Sequence, residues 1–358
     1  MNKSQTESKA VFETNNRIRA DFDRTPLWQR IKAKFITKNF LTKLIWAIFR
    51  YVILIGISYI ILFPFFTKIS SSFMGPEDFV DATVKLIPKN FTLETYKYIF
   101  LENKYLQAIG NTAMLSIAAG IVQTFICAMI GYGLAKFKFK GNRLLFILVI
   151  FTMIIPHQTL QLSLFMKFRY FDVLGIMQFL GGGSRLFPQF NVTNGFTSFN
   201  LTNSFMPLGL LSLTGLAFKN GLYIFMMRQF YRGVPNELEE SAYIDGSGIF
   251  KTFFSIILPL SIPMMITIFL FAFSWQWTDT FYTSLFFTSS KMVLMRNVIA
   301  IPESLKEGME KYSAGQSMYS AAIRNTCGLL IIAPLVIIYL FCQRYLIQGI
   351  ERSGMTAD

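Results

Sequence analysis

The stretch that decides the fold is Glu240-Ser241-Ala242-Tyr243-Ile244-Asp245-Gly246, followed after nine residues by Ile256-Ile257-Leu258-Pro259. It lies between two strongly apolar regions, so a short charged element is held between segments suited to a membrane. Glycine readily adopts the left-handed conformation that ends a helix. We therefore predict a short helix outside the membrane, ended by Gly246 and Gly248, with Pro259 marking entry into the next apolar segment.

The residues before this stretch predict where the short helix begins. Pro235 suits a first helical turn, and an acidic run follows it where the positive end of a helix favours negative charge. An apolar strip of Leu238, Ala242 and Tyr243 runs along the same helix. The sequence therefore predicts a helix with charged residues at its start and an apolar strip beside them.

The composition of the chain is that of a protein that crosses a membrane several times. Of its 358 residues 53% are hydrophobic and 15% are charged, whereas about 25% charge is usual in soluble proteins. A spanning helix needs about 20 apolar residues, and lipid offers no partner for unpaired backbone groups. We therefore predict an all-α polytopic membrane protein with six transmembrane helices. They are expected at 45–67, 107–135, 144–166, 206–229, 255–285 and 325–348.

The distribution of lysine and arginine predicts the orientation. With the N-terminus inside, 20 of the 34 cations fall on the cytoplasmic side and 13 on the longer outer loops. The contrast is sharpest at the short connection 136–143, and cytoplasmic loops are the ones that concentrate positive charge. Both termini and residues 240–246 are therefore expected in the cytoplasm. The net charge of +14 is explained by this orientation, and no nucleic-acid partner is expected.

Three regions are expected: an N-terminal extension at 1–44, a transmembrane domain at 45–350 and a cytoplasmic tail at 351–358. No cleavable leader is recognised in the polar first forty residues. Trp28, Ile31 and Phe35 recur at helical spacing among basic residues, which predicts an amphipathic helix on the inner membrane surface. The alternative is an ordinary juxtamembrane anchor. The three cysteines all lie in apolar segments, so we expect small buried side chains and neither a disulfide framework nor a metal site.

The spacing from Glu240 to Pro259 resembles the EAA-loop signature of ATP-binding-cassette (ABC) importer permeases, with Ser241 replacing the first alanine of the motif. The flanking residues and the tail Gln343-Arg344-Tyr345 resemble the carbohydrate-uptake, maltose-permease-like branch. The resemblance covers about residues 45–352 and implies the type I importer transmembrane fold, with a coupling loop at 228–262. It also implies a bacterial plasma membrane location and the import of a carbohydrate, with an oligosaccharide as the expected substrate.

The same resemblance implies the partners and the residues that would contact them. A permease of this family works with a second homologous permease, two ATPase subunits and an extracytoplasmic solute-binding protein, all within membrane lipid. The residues implied in coupling to the ATPase are Glu239, Glu240, Ser241, Ala242, Asp245, Gly246, Leu258 and Pro259.

Residues 246–252 also resemble the end of a phosphate-binding loop, but Phe250 stands where that loop needs a glycine before its lysine. We therefore expect this chain to bind no cofactor and to be no enzyme. ATP and Mg²⁺ would be used by the partner ATPase subunits.

A second group of residues suggests a path for the substrate. Lys219 and Asn220 fall midway along the fourth predicted helix and Asp279 late in the fifth, where a charged group needs a partner or water. Pairing of Lys219 with Asp279 and lining of a path are both open. Trp275-Gln276-Trp277 offers aromatic faces and an amide to a sugar, with interfacial anchoring as the alternative. The single histidine, His157, is expected in helix packing or as a polar lining.

Two other functions remain open from the sequence. An ion-driven secondary transporter would show inverted repeats and broken midplane helices with ionisable ligands, of which only Lys219 and Asp279 are candidates. A membrane anchor or sensor without transport activity would not need the spacing between Glu240 and Gly246. Co-purification of an ATPase subunit separates the three.

Overall fold

The computed structural model describes residues 38–172, 191–193, 196–289, 292–311 and 313–354. The helices are α1 Lys38–Ser71, α2 Glu94–Glu102, α3 Tyr105–Lys136, α4 Asn142–Ile154, α5 Gln161–Arg169, α6 Met206–Leu213, α7 Asn220–Arg232, α8 Glu237–Ile244, α9 Ile249–Thr252, α10 Leu258–Leu260, α11 Ile262–Trp277, α12 Phe281–Phe286, α13 Glu303–Lys311 and α14 Gln316–Gly354. Two short strands, β1 Asn191–Thr193 and β2 Phe196–Ser198, pair antiparallel. The all-α prediction is therefore correct except for this short strand pair.

The chain divides into two compact units at Lys68. The described part of the first unit is most of α1, a continuous apolar helix. Three helical stretches among the described residues are long and apolar enough to cross a membrane: Thr42–Ser71, Tyr105–Lys136 and Gln316–Ile347. Two bent pairs, α4 with α5 and the segment 249–260 with α11, raise the number of candidate spans to as many as five.

The third predicted span is broken by a proline. α4 ends at Ile154, and Ile155 is extended because a residue before proline avoids the helical conformation. After Pro156 a 3₁₀ turn, His157–Leu160, leads into α5, and the pair is bent by 95°. The segment at 144–166 is therefore two helical pieces and not one straight helix.

The fourth predicted span is also broken. Gly215 and Lys219 both have left-handed backbones, with φ of +71° and +66°, and they separate α6 from α7. Each of these helices is shorter than the roughly 20 residues that cross the hydrocarbon. The expectation of a continuous helix over 206–229 is wrong, because a hydropathy window does not register a turn made of apolar residues.

The fifth predicted span begins earlier than expected and bends. Helical structure starts at Ile249 and includes a π turn over Phe253–Ile257. It then bends by 76° at Ser261, just before α11. Pro263 lies at the start of α11, where a missing N–H is tolerated. α11 ends at Trp277, and residues 281–286 form the separate helix α12.

The core of the second unit lies around α3, which packs against both α7 and α11. Glycines allow this close approach. A Cβ added at Gly131 would lie 2.6 Å from Cβ of Met227, and one at Gly120 would lie 3.0 Å from the ring of Phe269. Small residues at helix interfaces are the usual means of bringing membrane helices together. α3 is therefore the central helix against which the loop at 228–262 and the residues around Lys219 are arranged.

The predicted division into three regions stays a prediction. The predicted amphipathic helix around Trp28 lies outside the described residues. The predicted tail boundary at 350 falls inside α14, which continues to Gly354. Cys127 and Cys327 are buried as expected, while Cys342 is half-buried.

Outside the predicted spans, the Ser304 side chain and backbone donate to the carboxylate of Glu102 and hold its pKa below the usual value. This contact ties α2 to α13.

Candidate functional site

The helix α8 has the start and the end that its sequence predicts. The amides of Glu239 and Glu240 both donate to the carbonyl of Asn236, at 3.0 Å each. At the other end Gly246 has φ +78°, its amide donates to the carbonyl of Tyr243, and the next amide donates to that of Ala242. This pattern is a Schellman motif. The prediction that Gly246 ends the helix is confirmed.

Gly248 does not share that role. Its backbone is extended, with φ −77° and ψ 166°, and it stands as the N-terminal cap residue of α9. The prediction that Gly248 helps to end the first helix is therefore wrong, because α8 needs only one left-handed residue to stop.

The side chain of Lys136, the last residue of α3, contacts the start of α8. The Lys136 ammonium donates to the carbonyl of Val234 at 2.7 Å and to Oδ1 of Asn236 at 2.8 Å, and it lies 3.8 Å from Oε2 of Glu239. Both charged side chains are more than nine-tenths buried. Glu239 Oε1 has no hydrogen-bond partner within the described part of the chain, so Lys136 supplies its main compensation. Glu239 thus faces this chain's own helices and not a partner.

Aromatic packing joins Tyr132 of α3 to Tyr231 and Phe253, which lie within the loop at 228–262. The ring centroid of Tyr132 is 5.5 Å from that of Tyr231 and 4.8 Å from that of Phe253. The hydroxyl of Tyr231 donates to Oγ of Ser261 at 3.2 Å, which links the end of α7 to the bend before α11. Aromatic packing and two polar contacts, this one and that of Lys136, therefore fix both ends of the loop.

The other implied coupling residues divide between a buried and an exposed face. Ala242 is buried against this chain, so its small size serves internal packing. Glu240, Ser241 and Asp245 are exposed, and the Ser241 hydroxyl donates back to the carbonyl of Glu237 at 2.7 Å. Leu258 packs against the core, while Pro259 is exposed.

Five large apolar side chains of the loop are also exposed. Ile244 is 86% exposed and Phe250 is 72% exposed, and Leu238, Tyr243 and Ile249 are exposed as well. A cluster of exposed apolar side chains with charged residues beside it is typical of a docking surface. We call the five side chains named here the docking face.

The second group gathers around the turn between α6 and α7. Lys219 lies at the α7 N-terminus and not within a helix, so the predicted mid-helix placement is wrong. Its ammonium is 4.9 Å from the ring centroid of Phe218 and 5.1 Å from that of Trp275. These distances are those of cation–π contacts. Trp275 itself is 47% exposed.

His157 joins this cluster from the break between α4 and α5. The Tyr282 hydroxyl and His157 Nδ1 are hydrogen-bonded at 2.7 Å, and the His157 ring also packs on Phe218. A cavity of about 440 Å³ is lined by His157, Lys219, Phe218 and Tyr282 together with apolar residues of α4, α6 and α7. The expectation of a polar lining at His157 is confirmed.

Gln276 and Asp279 approach the same rings from another side. With Gln123, Trp275, Phe218 and Tyr282 they line a small second cavity. Asp279 accepts hydrogen bonds from the amides of Tyr282 and Thr283, at 3.1 and 2.7 Å, and so holds the first turn of α12. Lys219 and Asp279 do not form an ion pair among the described residues, and Lys219 instead lines the 440 Å³ cavity.

Two of the predicted path residues lie elsewhere. The Trp277 indole is 4% exposed and donates to the carbonyl of Ile331 at 2.9 Å, so it packs against α14. The Asn220 side chain is fully buried, and neither of its amide atoms has a hydrogen-bond partner in the described residues. Trp277 therefore belongs to helix packing, and the Asn220 side chain is enclosed within the protein.

Sequence reasoning missed several of the residues that build these sites. In the sequence Lys136 is one of several cations that indicate orientation, and Phe218 and Tyr282 are ordinary aromatics in an aromatic-rich chain. Gln123 carried a signal, since an amide in the middle of an apolar helix requires a polar neighbour. Its amide donates to Oγ of Ser212 at 3.3 Å.

Comparison with known proteins gives matches along most of the chain. Residues 125–352 match the model of the family described as "Binding-protein-dependent transport system inner membrane component". The polygalacturonan/rhamnogalacturonan transport system permease protein YtcP of Bacillus subtilis is 26% identical over 308 residues, covering 84% of this chain and 94% of the relative. The arabinooligosaccharides transport system permease protein AraQ of Halalkalibacterium halodurans is 26% identical over 302 residues, covering 84% and 92%.

A solved structure shows the same fold. A bacterial ABC transporter involved in the import of the acidic polysaccharide alginate matches with a TM-score of 0.61 and 18% identity. The match covers 85% of this chain and 97% of that one.

Proposed function

This chain belongs to the family of binding-protein-dependent transport system inner membrane components, and on that premise we propose that it is a permease subunit of an ATP-driven carbohydrate importer. It is a multi-pass plasma membrane protein. Its partners in the proposal are a second homologous permease, two ATPase subunits and an extracytoplasmic solute-binding protein. The chain forms half of the translocation path, and the ATPase subunits bind and hydrolyse ATP with Mg²⁺.

The proposed topology has six crossings with both termini in the cytoplasm. Five correspond to the three long helices and the two bent pairs, and the sixth to the bent segment α6–α7. A turn within a crossing is tolerated where it lines a cavity and its backbone groups are paired within the protein. The turn between α6 and α7 fits this condition, because it lies on the 440 Å³ cavity.

The observation that carries the proposal is the docking face on an internally fixed helix. α8 exposes Ile244 outward while Lys136, Glu239 and Tyr231 hold the loop from within. A helix fixed in this way moves as one piece with α3 and α7. We propose that an ATPase subunit binds the docking face and Glu240, and that closure of the ATPase dimer on ATP moves α8 and opens the path. Only a difference in affinity between the two states can drive such a switch.

The proposed substrate is an oligosaccharide. YtcP is named for the transport of polygalacturonan/rhamnogalacturonan, and AraQ for that of arabinooligosaccharides. The path in this proposal runs past Lys219, Trp275, Gln276 and Asp279, which face shared cavities with Phe218 and Tyr282. Exposed aromatic faces and an amide suit a sugar, since rings stack on its apolar face and amides meet its hydroxyls.

Co-purification tests the proposed function. A tagged chain expressed with its neighbouring transport genes is expected to carry an ATPase subunit through purification. E240K and G246P are expected to lower ATPase binding and sugar uptake while leaving membrane insertion unchanged. Solute transport by the purified chain alone, driven by an ion gradient, would favour a secondary transporter. A chain that binds no ATPase and moves no solute would favour an anchor or sensor.

A further inference from the structure

The Lys219 ammonium has aromatic neighbours and, in the described part of the chain, no carboxylate partner. Its ring contacts are with Phe218 and Trp275. Within the described residues no carboxylate lies at ion-pair distance from it, and Asp279 is used to hold the start of α12. Contact with a ring face attracts the cation but does not neutralise its charge.

The depth of Lys219 in the membrane raises the energetic cost of leaving its ammonium without an anionic partner or water. The 13 residues of α7 separate it from the loop that carries α8, and they rise about 20 Å at 1.5 Å per residue. The hydrocarbon layer is about 30 Å thick, so Lys219 lies well inside it in the proposed topology. A charged side chain at such a depth faces a partner or a water-filled path and marks the route of a solute.

The neighbours of Lys219 specify more than a negative charge. Trp275 is half-exposed beside the ammonium and lines the small second cavity. Lys219 lines the cavity of about 440 Å³, which is of the size that holds small ligands, and Phe218 and Tyr282 line both cavities. His157 and Tyr282 add polar atoms to the wall of that cavity. An aromatic face beside a cation and polar groups matches a sugar ring that carries an acidic group.

We propose that Lys219 binds the carboxylate of an acidic oligosaccharide, one built from uronic acid units, while Trp275 stacks on its ring. This inference rests on the proposed function and narrows its substrate class. Lys219 then acts as a specificity residue: it favours acidic over neutral sugars within the path, in addition to any selection by the solute-binding protein. An alternative partner is a carboxylate of the second permease subunit, which makes Lys219 a residue of the subunit contact.

Uptake by cells lacking this gene and complemented with variants separates these readings. The panel pairs disaccharides of galacturonate, glucuronate and mannuronate with their neutral hexose counterparts. Wild type is expected to import at least one acidic disaccharide in preference to its neutral counterpart. K219Q is expected to reduce that uptake about 10- to 100-fold at low sugar concentration, the size of a lost charge-assisted hydrogen bond. K219R keeps the charge and is expected to retain most of the uptake.

The control is K167Q, which removes the same charge from an exposed position on α5 outside the cavity. It is expected to match wild type. Position 219 has a left-handed backbone, which costs glutamine and lysine the same, so K219Q adds no backbone strain. Each sample is also checked for co-purification of the second permease and the ATPase.

The other outcomes overturn the inference. Uptake of neutral sugars only, or equal loss of acidic and neutral uptake in K219Q, would show that Lys219 does not recognise an acidic group. Loss of the second permease from purified K219Q would assign Lys219 to the subunit contact. Uptake of no panel member would also reject an acidic substrate, and the proposed function would then depend on ATPase co-purification alone.

Discussion

The ammonium of Lys136 lies 3.8 Å from the carboxylate of Glu239, and only 5% and 9% of the two side chains are exposed. The two residues are about a hundred positions apart in the chain, at the end of the central helix α3 and in the first turn of α8. Lys136 also bonds to Val234 and Asn236, just before α8. Lys136 thereby ties the start of α8 to the end of α3.

Lys136→Met is expected to destabilise the protein strongly. It leaves the buried carboxylate of Glu239 unpaired, and breaking a buried ion pair in this way costs about 3–5 kcal/mol. Thermal unfolding of the purified protein measures the effect. K138M is the control, because Lys138 lies nearby and is exposed. The double variant K136M/E239L is expected to be more stable than K136M alone, because both charges are removed together. Equal stability of K136M and K138M would show that the pair contributes nothing.

Gly246→Ala is expected to weaken the end of α8 by about 1–2 kcal/mol, the cost of a left-handed backbone with a Cβ. No atom lies within 4 Å of the added Cβ, so the cost is one of conformation and not of space. Gly248→Ala is the matched control, because Gly248 has a negative φ and equally open surroundings. ATPase binding to the purified chain is expected to fall for G246A and to be unchanged for G248A. The same loss in both variants would contradict the role of the cap.

Gly131→Ala is expected to force α3 and α7 apart. The new Cβ would lie 2.6 Å from Cβ of Met227 and 3.0 Å from the amide of Arg228, and overpacking of this kind costs about 1–3 kcal/mol. Gly110→Ala in the same helix meets no atom within 4 Å and is expected to be neutral or slightly stabilising. Melting temperatures in lipid nanodiscs compare the two. An unchanged melting temperature in G131A would mean that the helices are not packed as described.

Substitution of Trp275 is expected to affect sugar uptake, and substitution of Trp277 is expected to affect stability. W277F removes the hydrogen bond to the carbonyl of Ile331 and is expected to lower stability by about 1 kcal/mol without a selective effect on transport. W275L removes the half-exposed ring beside Lys219 and is expected to lower sugar uptake while leaving the melting temperature unchanged. Parallel uptake and melting measurements test this. Reduced uptake in W277F with normal uptake in W275L would mean that Trp277, and not Trp275, contacts the sugar.

Local features of the sequence predicted the ends of α8 well. The acidic first turn and the glycine that ends α8 act through contacts within a few residues, so the pattern around Gly246 contains the necessary information. The breaks near Pro156 and Gly215 were missed, although both residue types are visible in the sequence. Hydropathy averaged over a window reports whether a segment suits lipid, and it does not report backbone conformation.

Long-range relationships could not be predicted from the sequence. Nothing near Lys136 indicates that it meets Glu239, because the contact depends on how α3 and α8 pack. Trp275 and Trp277 look equivalent in the sequence, yet two residues differ by about 200° around a helix. One ring therefore faces Lys219 while the other faces α14. Which neighbour a side chain faces can be read only from the packed structure.

Photo-crosslinking from the docking face tests the central claim most directly, namely that α8 is the element that binds an ATPase subunit. A benzoyl-phenylalanine at Ile244, which is 86% exposed, is expected to crosslink to the ATPase subunit in membranes. The same probe at Leu101, which is 65% exposed on α2 and lies on the outer side in the proposed topology, is expected not to. Crosslinks to the ATPase from position 101, or none from position 244 in a complex that transports sugar, would contradict the account.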